Sequence, residues 1–545
     1  MTNGPKILNL SALMPAQIRA LAEYQGGVIV ELEGKVAALN EEIARLKGLK
    51  GRPDIKPSGL DKETDKKLSG KAGDDKKPRG GAGKRCKTET LPIDTTRIIP
   101  VDHPAGSRFK GYRDSVIQDI IIRRNNVLLR REVWETPEGK VVVAPVPADV
   151  HGQFGAELHR HVVNVYYDGQ STMPRIHRGL TALGVDISTG QIEALLNHQT
   201  GDLRVENGEV FRAGLETSPY ISTDDTGARH GGRNAVCTEI GGPFFTVFAT
   251  TFSKSRLNFL DLLRGGYQDY RINAAALSYL EDKGAKPALI TLVASGGEGP
   301  FADDDAFSAH LASLGITTAG HVRLVTEAAL AGSIAGHAFL IDAVILSDGA
   351  PQFDIFLHAL CWVHAERHIH CLHCVTDEQA AKVARMRSLV WAFYADLKRF
   401  QATPTAQSAA TLRRRFDRIF NRTTGFADLD QVLERLFFAK EDLLRVLDRP
   451  DIPLNTNTDE SAIRAFVTKR KVSGGTRSDL GRQTRDALLG LLKTCAKLGI
   501  SFWDYLGDRF GITPGTIPRL ADTIRSRTEQ RKQSIDQPEP DPVPA

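Results

Sequence analysis

Cysteine is scarce in this 545-residue chain: Cys86, Cys237, Cys361, Cys371, Cys374 and Cys495 are all there is. Three of them fall in one short segment, which does not fit the disulfide framework of a small secreted domain. Long apolar runs are missing too. The longest, residues 328–346, is broken by Ser333, His337 and Asp342 and reads as core, not as a membrane span. A basic start followed by an apolar run is absent at the N-terminus, so no secretory leader is expected and a cytosolic location is. An excess of one charge is lacking as well: the net charge is only +5, so bulk charge alone does not indicate nucleic acid. What remains is an ordinary globular composition, 41% hydrophobic and 25% charged. The length allows several domains and at least one sizeable core.

Charge is uneven along the chain. Residues 66–87 hold nine Lys or Arg against two Asp, a block that can hold phosphates although the whole is near neutral. Residues 1–50 are predicted as an N-terminal helix, with Leu32, Val36, Leu39, Ile43 and Leu46 at a/d spacing. That seam serves either a short coiled coil or a helix packed on its own domain. Residues 51–92 form a basic linker, too poor in apolar side chains to fold. Residues 93–150 are predicted as a small β module. Its strands are Val116–Ile122 and Val127–Val133 around an Arg-Asn-Asn turn, then Lys140–Ala144. Residues 151–215 are helical and resemble a helix-turn-helix, with Ser188 as an N-cap; the alternatives are DNA contact and a plain helical connector.

Further on, Pro219–Asp225 reads as a strand ending in two acids. Asn234–Ile240 and Phe244–Thr251 read as a hairpin around Gly241-Gly242, and Ser255–Leu263 as a helix. Residues up to Gly336 are mostly helical, with an acidic loop at Asp303-Asp304-Asp305. Ala343–Leu346 is a buried strand that stops at Ser347-Asp348-Gly349, and a helix carrying Cys361, Trp362, His364 and His368 is placed after it. Ligands collect at such strand ends in open α/β sheets. Residues 216–376 would thus be the first part of an α/β core, 377–452 a helical insertion, and 453–510 its completion by a helix carrying Glu460. Residues 511–545 are a tail, unstructured after Arg527.

Asp224 and Asp348 at strand ends and Glu460 on a late helix can converge at one sheet edge. Hard divalent cations take such oxygen ligands, together with substrate phosphate oxygens. Lone acids at turns are otherwise solvated caps.

These motifs resemble DDE transposases of the insertion-sequence-66 family. That family has a DET-like motif after its first strand, an SDG motif after a later one, then CWxHxRR, then NNxxERxxR followed by RK. Here Thr223-Asp224-Asp225-Thr226 is similar to the first, and Leu346-Ser347-Asp348-Gly349 matches the second. Cys361 to His368 is similar to the third. Asn457 to Arg464, with Arg470-Lys471 beyond, is similar to the last. The resemblance implies a ribonuclease-H-like catalytic core in which Asp224, Asp348 and Glu460 bind two Mg²⁺ (or Mn²⁺) ions. It implies cleavage and strand transfer at insertion-sequence ends, with double-stranded DNA (transposon ends and target) as partner. The zipper seam and the linker predict a homo-oligomer on DNA; accessory transposition proteins and a place on the bacterial nucleoid are expected as well, and no membrane. Arg464, Arg470 and Lys471 would hold the DNA backbone, although Glu460 and Arg464 also share a helix face as an ion pair. Alternatives are a nuclease of the same fold and a DNA-binding or assembly protein without catalysis of its own.

Four departures from the family stand out. Ser461 replaces an Arg, and Asp225 replaces a Glu. Adjacent strand residues face opposite ways, so one acid only is expected in the site, Asp224 by motif position. Cys86 is the one cysteine in the N-terminal region, so no zinc finger is expected there. The stretch from Arg256 to Asp348 is longer than in the family. Finally, Cys361, His364 and His368 share the spacing of one helix face, with Cys371, His373 and Cys374 following. Thiolate and imidazole are zinc ligands, but the two-plus-two spacing is missing, and Cys361 and His364 are weighted towards packing.

Overall fold

The computed structural model describes residues 92–147, 150–151 and 153–536. The expected N-terminal helix and the basic linker up to residue 91 lie outside the described residues. Two compact units divide the chain after Val116. Residues 92–116 carry neither helix nor strand.

In the second unit the expected β module is reduced to a short hairpin. Strand β1 (Val133–Glu135) pairs antiparallel with β2 (Val141–Val143), across a turn in which the Gly139 amide donates to the Thr136 carbonyl. Val116–Ile122 and Val127–Glu132 are not strands. Their alternating apolar pattern suits a sheet, yet Ile117, Ile120, Ile121, Val127 and Leu128 are exposed and no described strand offers them a ladder. Two-residue strands β3 (Val150–His151) and β4 (Phe154–Gly155) follow.

Helices fill the region that follows. Ala156–Tyr167, Met173–Ala182 and Thr189–Asn197 are joined by tight turns. Ser188 caps the third in a reciprocal box with Gln191, as its sequence position suggested. The longer helix Gly201–Thr217 leads into the sheet.

The sheet has five strands in the order β7 (Thr246–Thr251), β6 (Arg233–Gly241), β5 (Tyr220–His230), β8 (Val344–Ser347) and β9 (Leu357–Leu360). Strand β5 pairs antiparallel with β6, which pairs antiparallel with β7. On its other side β5 runs parallel to β8, and β8 parallel to β9. Strand β9 is missing from the sequence expectation, which runs from Asp348 straight to a helix. Between β7 and β8 lie the helices Arg256–Leu263, Ala274–Asp282, Pro287–Ser295, Asp304–Ser313 and Ala319–Gly336. The three acids expected as a loop instead start a helix: Asp303 accepts from the Ala306 amide as N-cap, with Asp304 and Asp305 in the first turn. Carboxylates there favour the helix through its exposed amides and dipole.

One core joins the helical region, the sheet and the closing helices, through Val162, Ile192, Ile221, Phe245, Phe466 and Leu488. A second lies in the insertion, the helices Asp377–Ala402, Ala406–Phe420 and Ala427–Phe438. Trp362 enters that second core beside Phe393 and Phe420 and donates from Nε1 to the Leu443 carbonyl at 2.9 Å. Truncating such a residue to alanine costs about 3–5 kcal/mol.

The end of the chain departs from the expected tail. The helix Leu520–Asp536 continues past Arg527 because Leu520, Ala521 and Ile524 are buried and the helix packs on Gly201–Thr217. Glu206, fully buried, accepts from Tyr505 Oη at 3.0 Å, from Arg509 Nε at 2.8 Å, from Arg519 Nη1 at 3.3 Å and from the Leu520 amide at 3.1 Å.

Candidate active site

Register brings the two aspartates together. The last ladder pair between β5 and β8 is Ser222 with Leu346. Two residues beyond each lie Asp224, on β5, and Asp348, the first residue past the end of β8; neighbouring strands run roughly 5 Å apart. Asp224 accepts from the Asp225 amide at 2.7 Å, and Asp348 Oδ1 accepts from the Ala350 amide at 2.9 Å. Burial, joined by the charge of Asp348, pushes the Asp224 carboxyl up to about 6; the Asp225 amide and His364 pull the other way. On the other flank Asp224 pairs in register with Glu239 of β6, which is fully buried. Glu239 was missed from sequence, although a hairpin register drawn around Gly231-Gly232 places it beside Asp224.

Glu460 reaches the same place from the helix Asn457–Ser473. That helix covers the Asp224 face of the sheet, with Phe466 stacked on Phe248 at 5.7 Å and Phe248 opposite Glu239 in register. Glu460 Oε1 lies 3.8 Å from His364 Nε2 and 3.9 Å from Arg367. His364 therefore sits between the acids: its charge lowers Asp224, and against burial its own pKa is raised, first by Cys361 and to a smaller degree by Glu460.

Cys361 is buried and stands just before the helix Trp362–His370 as its N-cap, not on its face. Burial opposes ionisation of the thiol most strongly, but the hydrogen bonds and charge of His364, together with the Thr456 hydroxyl, outweigh it and lower its pKa. Thr456 Oγ1 donates to Sγ at 3.5 Å. Cys361 thus lies at the start of the helix expected to carry it, and its thiol still meets His364. Cys371 is exposed and Cys374 half-buried.

Of the basic residues, Arg464 is exposed and pairs with Glu460 at 3.1 Å. Arg470 is half-buried and Lys471 exposed; Arg470 approaches Gly227 of β5. Lys469, on the same helix, is fully buried. It donates to the carbonyls of Tyr166 and Ser171, and its ammonium lies 3.2 Å from the Tyr166 ring centre. Burial lowers it to about 7, whereas carbonyl acceptors and a ring face favour the charged form.

Asp225 has a different setting. Its Oδ1 accepts from Thr238 Oγ1 at 2.6 Å and its Oδ2 from Gln352 Nε2 at 2.9 Å. Lys254 Nζ lies 3.8 Å away.

The oxygen-rich donor set suits a hard divalent cation, and the buried Glu460 Oε1 accepts no hydrogen bond. Among the described residues, no group of three or more His, Cys, Asp or Glu side chains is gathered closely enough to hold a metal ion as it stands. No described helix is long and apolar enough to cross a membrane.

A mixed sheet with acids gathered at its parallel strand ends defines the class of site; comparison supplies the family. The model described as "Transposase IS66 family" matches residues 334–484, which include Asp348, Cys361, His364, Glu460, Arg464, Arg470 and Lys471 but not Asp224. Over 320 residues the chain is 50% identical to the uncharacterized protein y4jO of Sinorhizobium fredii (strain NBRC 101917 / NGR234), covering 58% of this chain and 100% of that protein. The chain belongs to the IS66 transposase family.

Proposed function

We propose that this protein is a DNA transposase that cuts and joins DNA at insertion-sequence ends, using Asp224, Asp348 and Glu460 on a ribonuclease-H-like core. The observation that carries this reading is the register of β5 with β8, which aligns the two aspartates beneath the helix that presents Glu460. The mixed sheet, with a central strand between one antiparallel and one parallel neighbour, supports the core assignment.

Asp224, Asp348 and Glu460 would hold Mg²⁺ or Mn²⁺ ions, which when bound activate water or a DNA 3′-hydroxyl and stabilise the leaving oxygen. Asp224, held near 6, loses its proton readily at neutral pH and is then ready to ligate. His364 steadies Glu460 on one side and the Cys361 thiol on the other, which favours a structural part for Cys361 and His364 over a zinc site. Arg464, Arg470 and Lys471 supply positive charge for phosphates. The partner is double-stranded DNA; assembly as a homo-oligomer, accessory proteins and a bacterial cytoplasmic setting complete the proposal.

The test is cleavage of a supercoiled plasmid carrying the element's ends, with Mg²⁺ or Mn²⁺, by the wild type and by Glu460→Gln. Metal-dependent nicking lost in the variant, with joined products from the wild type, is the expected result. Nicking without joining points to a nuclease. Specific binding without nicking by either protein overturns the catalytic assignment in favour of a binding or assembly role.

A further inference from the structure

The turn that carries Asp348 is held from behind by side chains so far without a function. Ser347 ends strand β8 and is fully buried. Its Oγ lies 2.9 Å from Nε2 of His358 on β9 and accepts from the Gly349 amide at 3.1 Å. Nδ1 of His358 lies 3.2 Å from Oδ2 of Asp442, a residue of the short insertion helix Lys440–Leu443. Arg445 closes the cluster. It donates to Asp442 Oδ1 at 3.4 Å and to the His358 carbonyl at 3.0 Å.

Proton placement follows from these partners. A carboxylate only accepts, so the Asp442 contact puts the imidazole hydrogen on Nδ1. Nε2 is left to accept the Ser347 hydroxyl proton, and a lone pair of Oγ faces the Gly349 amide. Gly349 has φ +92°, and a side chain there would meet Leu360 at 3.0 Å. With the Ala350 amide on Asp348, turn and carboxylate form one hydrogen-bonded unit.

Ser, His and Asp in this order are also the parts of an acyl-transfer triad. Ser347 cannot act in one, because it is sealed inside the sheet and no substrate carbonyl reaches it. What the three side chains can transmit is orientation, from the helical insertion to the end of β8. Residues behind a ligand fix its direction and commonly matter nearly as much as the ligand.

We propose that Asp442, His358 and Ser347 form a positioning relay that aims Asp348 for DNA cleavage, so that the helical insertion governs the reactivity of the site. This rests on the reading of Asp348 as a cleavage residue. Asp442 is the safe point of attack, being 32% exposed. Asp442→Ala is expected to lower plasmid nicking at saturating DNA about tenfold. DNA affinity stays unchanged, and hydrogen exchange at the Gly349 and Ala350 amides becomes faster. Asp442→Asn, which keeps an acceptor for Nδ1–H, is expected to retain most of the turnover. Wild-type nicking by Asp442→Ala overturns the relay; so does loss of DNA affinity in step with turnover, or an Asn variant as slow as the Ala variant. Asp348→Asn, measured alongside, separates the two levels. If it is inactive while Asp442→Ala is unaffected, only the relay fails; if it nicks like the wild type, the assignment of Asp348 fails with it.

Discussion

Asp224 and Asp225 are neighbours on one strand, yet they face opposite sides of the sheet and live in opposite chemistry. Asp225 is furnished with donors on both oxygens, Thr238 and Gln352, with Lys254 nearby. Asp224 has one backbone amide, partial burial and another carboxylate beside it, and is pushed up to about 6. A carboxylate whose needs are met inside the protein is a strut. One that is left short is available to something that arrives later. The difference is a matter of strand alternation, because one residue of register exchanges the two roles.

Swapping each acid for its amide separates the roles. Asp224→Asn is expected to bring metal-dependent nicking to background while leaving DNA binding and folding intact, as plasmid assays and thermal melting check. Asp225→Asn is expected to act mainly on stability. It removes charge-assisted bonds worth about 1.5–3 kcal/mol each, lowering Tm by several degrees, with a smaller loss of nicking through the Gln352 end of the Asp348 turn.

The comparison sharpens with pH. The folded Asp224 carboxyl titrates near 6 against an ordinary 3.8, so the folded chain binds this proton more tightly than the unfolded one. Its contribution to stability is therefore full below about pH 4 and is lost as pH rises through 6. In metal-free buffer, Asp224→Asn should flatten that part of the stability profile, and Asp225→Asn should not; denaturant melts across pH 4–7 measure it. The smallest expected effect is at the rim. Arg464→Ala should weaken DNA binding evenly across sequences and reduce the salt slope by about one, since Arg464 already shares its charge with Glu460.

Much of this was legible in the residues. Period-two patterns marked β6 and β7, and the Gly-ended run before Asp348 marked β8, because those strands bury one or both faces. The same pattern misled at residues 116–132, where the apolar residues have no described sheet to join. Strand β9 escaped because four residues, Leu357–Leu360, carry no period of their own and owe their ladder to β8. The helix after Arg519 escaped because its charged sequence hides a narrow buried stripe of Leu520, Ala521 and Ile524. At the site, short motifs picked out Asp224, Asp348 and Glu460. His358 and Asp442 could not be seen that way, since they are 84 residues apart and meet only through the packing of the insertion on the sheet.

The buried Glu206 has a practical consequence. Its charge is balanced by Arg509, Arg519 and the Leu520 amide, so the last helix is part of what lets the middle of the chain fold. A shortened protein ending near Gly511 would still encode every acid of the site, yet Glu206 would keep only Tyr505 and Arg509 of its partners, and the helix Gly201–Thr217 would lose the last helix that packs on it. Inactivity in such a copy would report a collapsed scaffold, and it would say nothing about the acids themselves.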